Sequence, residues 1–491
     1  MRQSKIEIVF RSPERLNQPS NFSTGIFNVT TPSTYVSYVR GQVEEAYSLV
    51  PQYTRLTGVD APSGFHLRYI SPESSGIDKE TAGQYYGGEI EIKSTQLGKA
   101  RILSLETLLH EIAHGFNDRL SSGSPDWWWE EGTADYLAHT ILASAGYNTS
   151  VFNVSRDKIE NTFDSCNVSR GFIANWSPID GVTTRFECEY ASETSLYSDA
   201  DSLGYDYSKI LVSDMLSEGD ILLRDIYIPM IRMNVSFVNT RPRLNNQINY
   251  IASQAADTNY TPFLRQRGIP TDDWTAAQRE IEATGDLLST YREDNPIDIL
   301  SGQKEEFTDL RRTAYRGNFA AIPPKASQLR EEIRDIQGRF NSTYLRYESV
   351  STRVGSLEEQ EQPRFYESAW SELNRSVDLM KEHRFEAAGE AISAANSSAT
   401  EIKEDLRRYV RTIQTTEEEV TATSPLFTPF LLGAGDDVEK SQQAYESGHL
   451  EKARDTLRTA QLKSTAAPLL GIGFYLSLLI GAVLLYRWKT G

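Results

Sequence analysis

The sequence predicts an α+β fold: a small mixed sheet packed on a buried helix, a helical lower half, then an all-α region and one transmembrane helix. Three observations carry this. Leu105, Leu108, Leu109, Ile112, Ala113 and Phe116 recur at i, i+3, i+4, i+7, i+8 and i+11, a buried helical stripe preceded by short strand-like runs. From Ser327 to about Ala466 nearly every residue is a helix former. Leu469 to Tyr486 carries no charge and would span about 27 Å as a helix, near the thickness of a hydrocarbon core. With 491 residues the chain is long enough for two or three domains. The expected divisions are a first domain over 1–290, a linker over 291–325, a helical bundle or stalk over 326–465, a span over 466–486 and a tail over 487–491.

In chain order, Lys5 to Phe10 alternates as a strand, and a polar segment follows to about Thr34. Val43, Ala46, Tyr47 and Val50 mark a helix over 42–56, with Pro51 expected to kink it. Phe65 to Ile70 reads as a strand, and Gly87-Gly88 leads into another at Glu89 to Lys93. The apolar stripe then defines a helix, and Trp127 to about Ala145 a second one. Residues 146–200 lack a helical period and read as an insertion. Gly204 to Leu216 follows, then helices near 219–233, 242–256 and 273–289. The linker is bounded by Asn295-Pro296 and Pro323-Pro324. Within the helical region, Phe385 to Ala395 aligns with Leu450 to Ala460, a faint helical-hairpin repeat. Two copies suit a bundle or stalk better than a repeat array.

Chemistry concentrates in His110-Glu111-Ile112-Ala113-His114, an H-E-x-x-H pattern. His110 and His114 sit one helical turn apart, so both imidazoles reach one metal ion. Glu111 stands beside them as a base for the attacking water. The second helix offers Glu131 as third ligand, with Glu130 the alternative. Asp135, one turn further, is placed to hold a ligating imidazole by its other ring nitrogen. His66 and His139 are read as structural.

The stretch resembles the gluzincin metallopeptidases, the clan of thermolysin-like enzymes and aminopeptidase N. There H-E-x-x-H precedes a helix bearing E-G-x-A or E-x-x-x-D, and Glu131-Gly132-Thr133-Ala134-Asp135 satisfies both forms. The sixteen residues between His114 and Glu131 make a shorter connection than the best-known families have. The resemblance implies a gluzincin-type catalytic domain with one Zn²⁺ per chain, held by His110, His114 and Glu131, and Glu111 as general base. It implies that the strand before the metal helix (Gly88, Glu89, Ile90 and onward) is an edge that pairs with substrate. It also implies that Tyr207, matching a Y-x-K-G element whose Gly is Ile210 here, donates to the oxyanion; Tyr205 is the alternative. The chain lacks the G-x-M-E-N-type element that binds substrate α-amines, which inclines the reading towards an endopeptidase.

Acidic residues outnumber basic ones by 68 to 50, a net charge of −18. That speaks against nucleic acid as a partner and against a peripheral anchor on acidic lipid. Eleven N-x-S/T sequons, among them Asn21, Asn148, Asn234 and Asn374, fit an exported glycoprotein. Cys166 and Cys188 are expected to form a disulfide, two free thiols being the alternative. Arg487-Trp488-Lys489 after the span favours a cytoplasmic C-terminus and an extracellular catalytic domain. No export signal is visible after Met1, so a start further upstream is expected; a tail-anchored protein facing the cytosol is the alternative. The expected function is a single-pass, membrane-anchored zinc peptidase acting on peptide or protein substrates. The alternative is a non-catalytic surface protein with a structural metal site, whose helical region binds another protein.

Overall fold

The computed structural model describes residues 18–70, 82–120, 126–178, 186, 196–238 and 241–490. The described residues are mostly helical, with one five-stranded mixed sheet, and the chain divides into two compact units. The first comprises residues up to Gly285 together with Glu305–Leu329. The second comprises Asp286–Lys304 and the chain from Arg330 onward. The expected strand at Lys5 to Phe10 lies outside the described residues.

The first unit opens with strands β1 (Pro19–Thr24) and β2 (Phe27–Pro32), an antiparallel hairpin where a polar segment was expected. Its signal is alternation: Phe27, Val29 and Thr31 point inward while Asn28 faces out. Helix α1 (Val36–Thr57) runs on through Pro51 and stops at Gly58, whose φ of 71° lets its N–H close on the Thr54 carbonyl. Strand β3 (Phe65–Ile70) lies parallel to β2. Strands β4 (Gly83–Tyr86) and β5 (Glu89–Lys93) form a second hairpin, turned by Gly87 and Gly88 at φ 50° and 98°. The sheet order is β1-β2-β3-β5-β4, with β5 parallel to β3.

Helix α2 (Arg101–Asp118) packs its apolar stripe beneath this sheet. A Cβ on Gly115 would lie 2.4 Å from the Phe65 ring, so only glycine allows that approach. The Tyr53 hydroxyl of α1 donates to the Leu109 carbonyl. Helix α3 (Trp127–Ser144) is buried over most of its circumference, with Trp128 and Trp129 fully enclosed. Trp129 meets Tyr227 and Phe237 edge-on, and Trp128 Nε1 donates to Asn245 Oδ1 at 3.0 Å.

The segment expected as an insertion without helical period contains α4 (Arg156–Ser165), capped by Ser155. Its Cys166 is disulfide-bonded, while the expected partner Cys188 lies outside the described residues. Then come α5 (Ala200–Glu218), α6 (Leu223–Arg232), α7 (Arg241–Ala256), the short α8 (Thr261–Gln266), and α9 (Thr275–Asp294). Residues 291–325, expected as a linker, carry helix α10 (Ser301–Tyr315) and the start of α11 (Ile322–Glu358). Leu310, Ala314, Phe319 and Ile322 are buried in the first unit's core, and Arg312 donates to the Met233 carbonyl. Phe307, Leu310 and Ala314 stand at i, i+3 and i+7, a short helical period set in charged sequence between the two proline signals.

The second unit contains α12 (Glu367–Lys381), α13 (Phe385–Ala422), α14 (Ala434–Glu446) and α15 (Leu450–Thr490). The faint repeat is visible as two hairpins, α12–α13 and α14–α15, each turned by a left-handed residue, His383 at φ 59° and Gly448 at φ 78°. Ala388, Ile392 and Ala395 of α13 match Ala453, Leu457 and Ala460 of α15, and all six are buried. Helix α15 continues unbroken through Pro468 and is long and apolar enough to cross a membrane.

Candidate metal centre

Helices α2 and α3 meet in antiparallel register. Asn117 of α2 ties them: its amide donates to Thr133 Oγ1 at 2.8 Å and its carbonyl accepts from the Tyr227 hydroxyl at 2.8 Å. Every member of that clamp is buried, so the register is held without solvent competition. One and two turns back along α2, His114 and His110 project towards Glu131 of α3.

Three donor atoms converge there. His110 Nε2 lies 3.0 Å from Glu131 Oε2 and 3.1 Å from His114 Nε2; His114 Nε2 and Glu131 Oε2 are 3.7 Å apart. Four ligands at about 2.0–2.1 Å in a tetrahedron stand about 3.3 Å from one another, and this triangle brackets that value. The opposite ring atoms are already engaged. His110 Nδ1 meets Asp135 Oδ1 at 2.8 Å, and His114 Nδ1 meets Glu130 Oε1 at 2.6 Å. Ionised carboxylates accept, so each ring donates from Nδ1–H and keeps the Nε2 lone pair for the centre. Two lone pairs and a carboxylate facing one point call for a cation. The residues fit a divalent metal.

The electrostatics show a site that draws positive charge, as protons on the rings or as a metal ion in their place. Burial alone would lower the His110 imidazolium, but Asp135 and Glu131 outweigh it and raise its pKa well above the ordinary value. Burial opposes His114 in the same way, and Glu131 and Glu130 raise it. Burial would raise the Asp135 carboxyl, yet its bond to His110 holds it low. Glu111, buried beside the rings, is pushed up to about 7 by desolvation, against the pull of His110 and His114.

Sequence reasoning assigned His110, Glu111, His114, Glu131 and Asp135 to one site, and the structure brings all five together. Glu130, the alternative ligand, instead grips His114 from behind. Its signal was available: adjacent residues on a helix diverge by 100°, so two neighbouring glutamates cannot both face the same point. Glu106, Asp135 and His139 form a second group of ligand-type atoms, with His139 Nε2 3.1 Å from Glu106 Oε1. The charge of Lys209 acts on Asp135 and Glu106, while its ammonium donates to the Phe152 carbonyl.

Two expectations are corrected. Gly88, Glu89 and Ile90 do not form an edge, because Gly88 is in the turn and β5 lies between β3 and β4. The outer strand is β4, and it runs over the site: a Cβ on Gly83 would lie 2.6 Å from Glu111 Oε1. Tyr85 of β4 stacks on His114 and donates to Asp118 Oδ2 at 3.1 Å. Tyr207, expected as the oxyanion donor, faces away. Its hydroxyl donates to the Arg267 carbonyl at 2.9 Å, and its ring packs on Phe163 and Phe172. Tyr205 is the tyrosine that feels the site carboxylates. Desolvation, then the charges of Glu131, Glu111 and Asp135, raise its pKa, and its ring meets Trp176 edge-on. The stretch is helical throughout α5, and Ile210 in place of glycine lets that helix continue.

Gly132 lets α5 lie close on α3, since a Cβ there would meet the Ser208 carbonyl oxygen at 2.5 Å. Gly204 likewise seats the Trp176 ring. No protein-family model matches the chain, and no curated protein sequence matches it.

Proposed function

We propose that the chain is a membrane-anchored zinc metallopeptidase of the gluzincin kind, with α15 as anchor and the first unit outside the cell. The observation that carries the reading is the convergence of two Nε2 lone pairs and the Glu131 carboxylate, with the buried Glu111 beside them. His110, His114 and Glu131 would hold Zn²⁺, which when bound polarises a peptide carbonyl and makes water acidic enough to react near neutral pH.

The remaining work belongs to side chains. Glu111 takes the proton of the attacking water on its carboxylate and returns it to the leaving amine. Glu130 and Asp135 keep both imidazoles in the tautomer that presents Nε2 to the centre. The Tyr205 hydroxyl is the donor suited to the developing oxyanion, because it adds no charge in the ground state. Strand β4 has backbone groups on its outer side, free of any partner strand among the described residues, to extend a peptide chain past Glu111.

The test is zinc content together with hydrolysis of a mixed peptide library, wild type against Glu111→Gln. The expected result is about one zinc in both proteins and at least about a 10²-fold loss of rate in the variant. Equal rates would reject the mechanism. Zinc in both with hydrolysis in neither would favour the non-catalytic surface protein.

A further inference from the structure

The connection between α13 and α14, Ser424 to Gly433, reads Ser-Pro-Leu-Phe-Thr-Pro-Phe-Leu-Leu-Gly: ten residues with no charge. It packs on the apolar part of α15. A Cβ on Gly471 would lie 2.3 Å from the Phe427 ring, the Phe430 ring meets Phe474 at 5.5 Å, and the Tyr475 hydroxyl donates to the Leu426 carbonyl at 3.0 Å. Outside these contacts, Leu426 and Leu432 are 62% and 61% exposed. Large apolar side chains so exposed within one short loop mark an interaction surface.

The charges define a level. The last acidic residue of α13, Glu419, accepts from Ser464 at 3.0 Å. Asp437, near the start of α14, pairs with Lys463 at 2.6 Å. Beyond Glu419 on α13, before Asp436 on α14, and from Ser464 to Tyr486 on α15, no chain segment carries a charge. All three segments become apolar at one height. A core of ~30 Å takes about 20 helical residues, which counted back from Tyr486 reaches Ala467. Gly471 then lies about 6 Å and Tyr475 about 12 Å within the hydrocarbon.

Part of the loop's backbone is paired within the loop, which lowers the cost of several kcal/mol that lipid sets on each unpaired N–H or carbonyl. Phe427 and Thr428 donate their N–H groups to Ser424, Phe430 to Phe427, Leu431 to Thr428 and Ala434 to Leu431, while Pro425 and Pro429 have no N–H to satisfy.

We propose that Leu426–Leu432 is a second membrane contact: an apolar loop inserted beside α15 into the outer part of the leaflet that the helix enters. It would hold the α13–α14–α15 hairpins upright on the bilayer, where a single helix alone would let them tilt. The inference rests on the reading of α15 as a membrane span, and the test separates the two. Cys166 is disulfide-bonded, so a thiol introduced elsewhere takes a nitroxide label selectively. Full-length Leu426→Cys, Leu432→Cys, Ser477→Cys and Lys452→Cys proteins are labelled and reconstituted in phosphatidylcholine vesicles. Collisions with oxygen and with a water-soluble nickel complex are then read by spin resonance. The expected result is loss of nickel collisions and gain of oxygen collisions at Leu426, Leu432 and Ser477, with the loop labels about 5–10 Å below the headgroups, and the reverse at Lys452. Water-exposed labels at Leu426 and Leu432 with a lipid-exposed Ser477 would overturn the loop and leave the span. A water-exposed Ser477 would overturn both.

Discussion

Tyr205 and Tyr207 are two residues apart on α5, and 200° of helical rotation gives them opposite surroundings. Tyr205 feels the site carboxylates, whereas Tyr207 is bonded to the Arg267 carbonyl. Tyr205→Phe should therefore lower turnover by about 10²–10³, the effect of losing one oxyanion donor, with zinc content and substrate binding little changed. Tyr207→Phe should leave turnover alone and cost about 0.5–1.5 kcal/mol of stability in denaturant unfolding, through one lost, partly buried hydrogen bond. The opposite pattern would restore Tyr207 to the mechanism. Glu130 and Asp135 act through the imidazoles they hold. Glu130→Ala and Asp135→Ala should each weaken zinc by about 10–100-fold in a competitive chelator titration. Unchanged affinity would mean that the two carboxylates do not orient the rings.

At the scale of elements, two glycines hold the site together by what they leave empty. Gly83→Ala puts a methyl carbon within 2.6 Å of Glu111 Oε1, so either β4 lifts or Glu111 turns away. Zinc should stay bound while turnover falls, and a kinetic assay on metal-loaded protein checks it. Gly132→Ala drives α3 from α5, because the atom met is a backbone oxygen with no rotamer to yield. The expected cost is about 1–3 kcal/mol in unfolding free energy. A neutral result at Gly132 would show that the two helices separate easily. Much of this level was readable from local sequence. The i, i+4 pairs on α2 and α3 depend only on helical spacing, and so does the apolar stripe. Strand β4 was not, although Tyr85-Tyr86-Gly87-Gly88 is a hairpin code, because which strand ends a sheet depends on all the others.

For the whole molecule, metal removal should act on one unit. The first unit has its own core around α2 and α3, and the second has separate apolar clusters around Tyr366 and around Leu457. A metal that binds only the folded state stabilises by about 4.1 kcal/mol when free ligand is a thousandfold above Kd. A chelator should lower one calorimetric transition of the detergent-solubilised chain and leave the helical unit's transition in place. Coincident shifts of both transitions would show that the units unfold as one.

The sequence by itself determined what depends on neighbours along the chain. The two histidines on one helix face, Glu111 beside them, the Glu131–Asp135 pair and the charge-free length of α15 all follow from spacing and composition. Only the tertiary structure decided the rest. It assigned Glu130 to the back of His114, put Tyr205 rather than Tyr207 in the field of the site carboxylates, made β4 the outer strand, drew α10 into the first core, and laid the Leu426–Leu432 loop on α15. Each of these depends on the rotation or partner of an element set by packing against residues distant in sequence, and local periodicity carries no record of that.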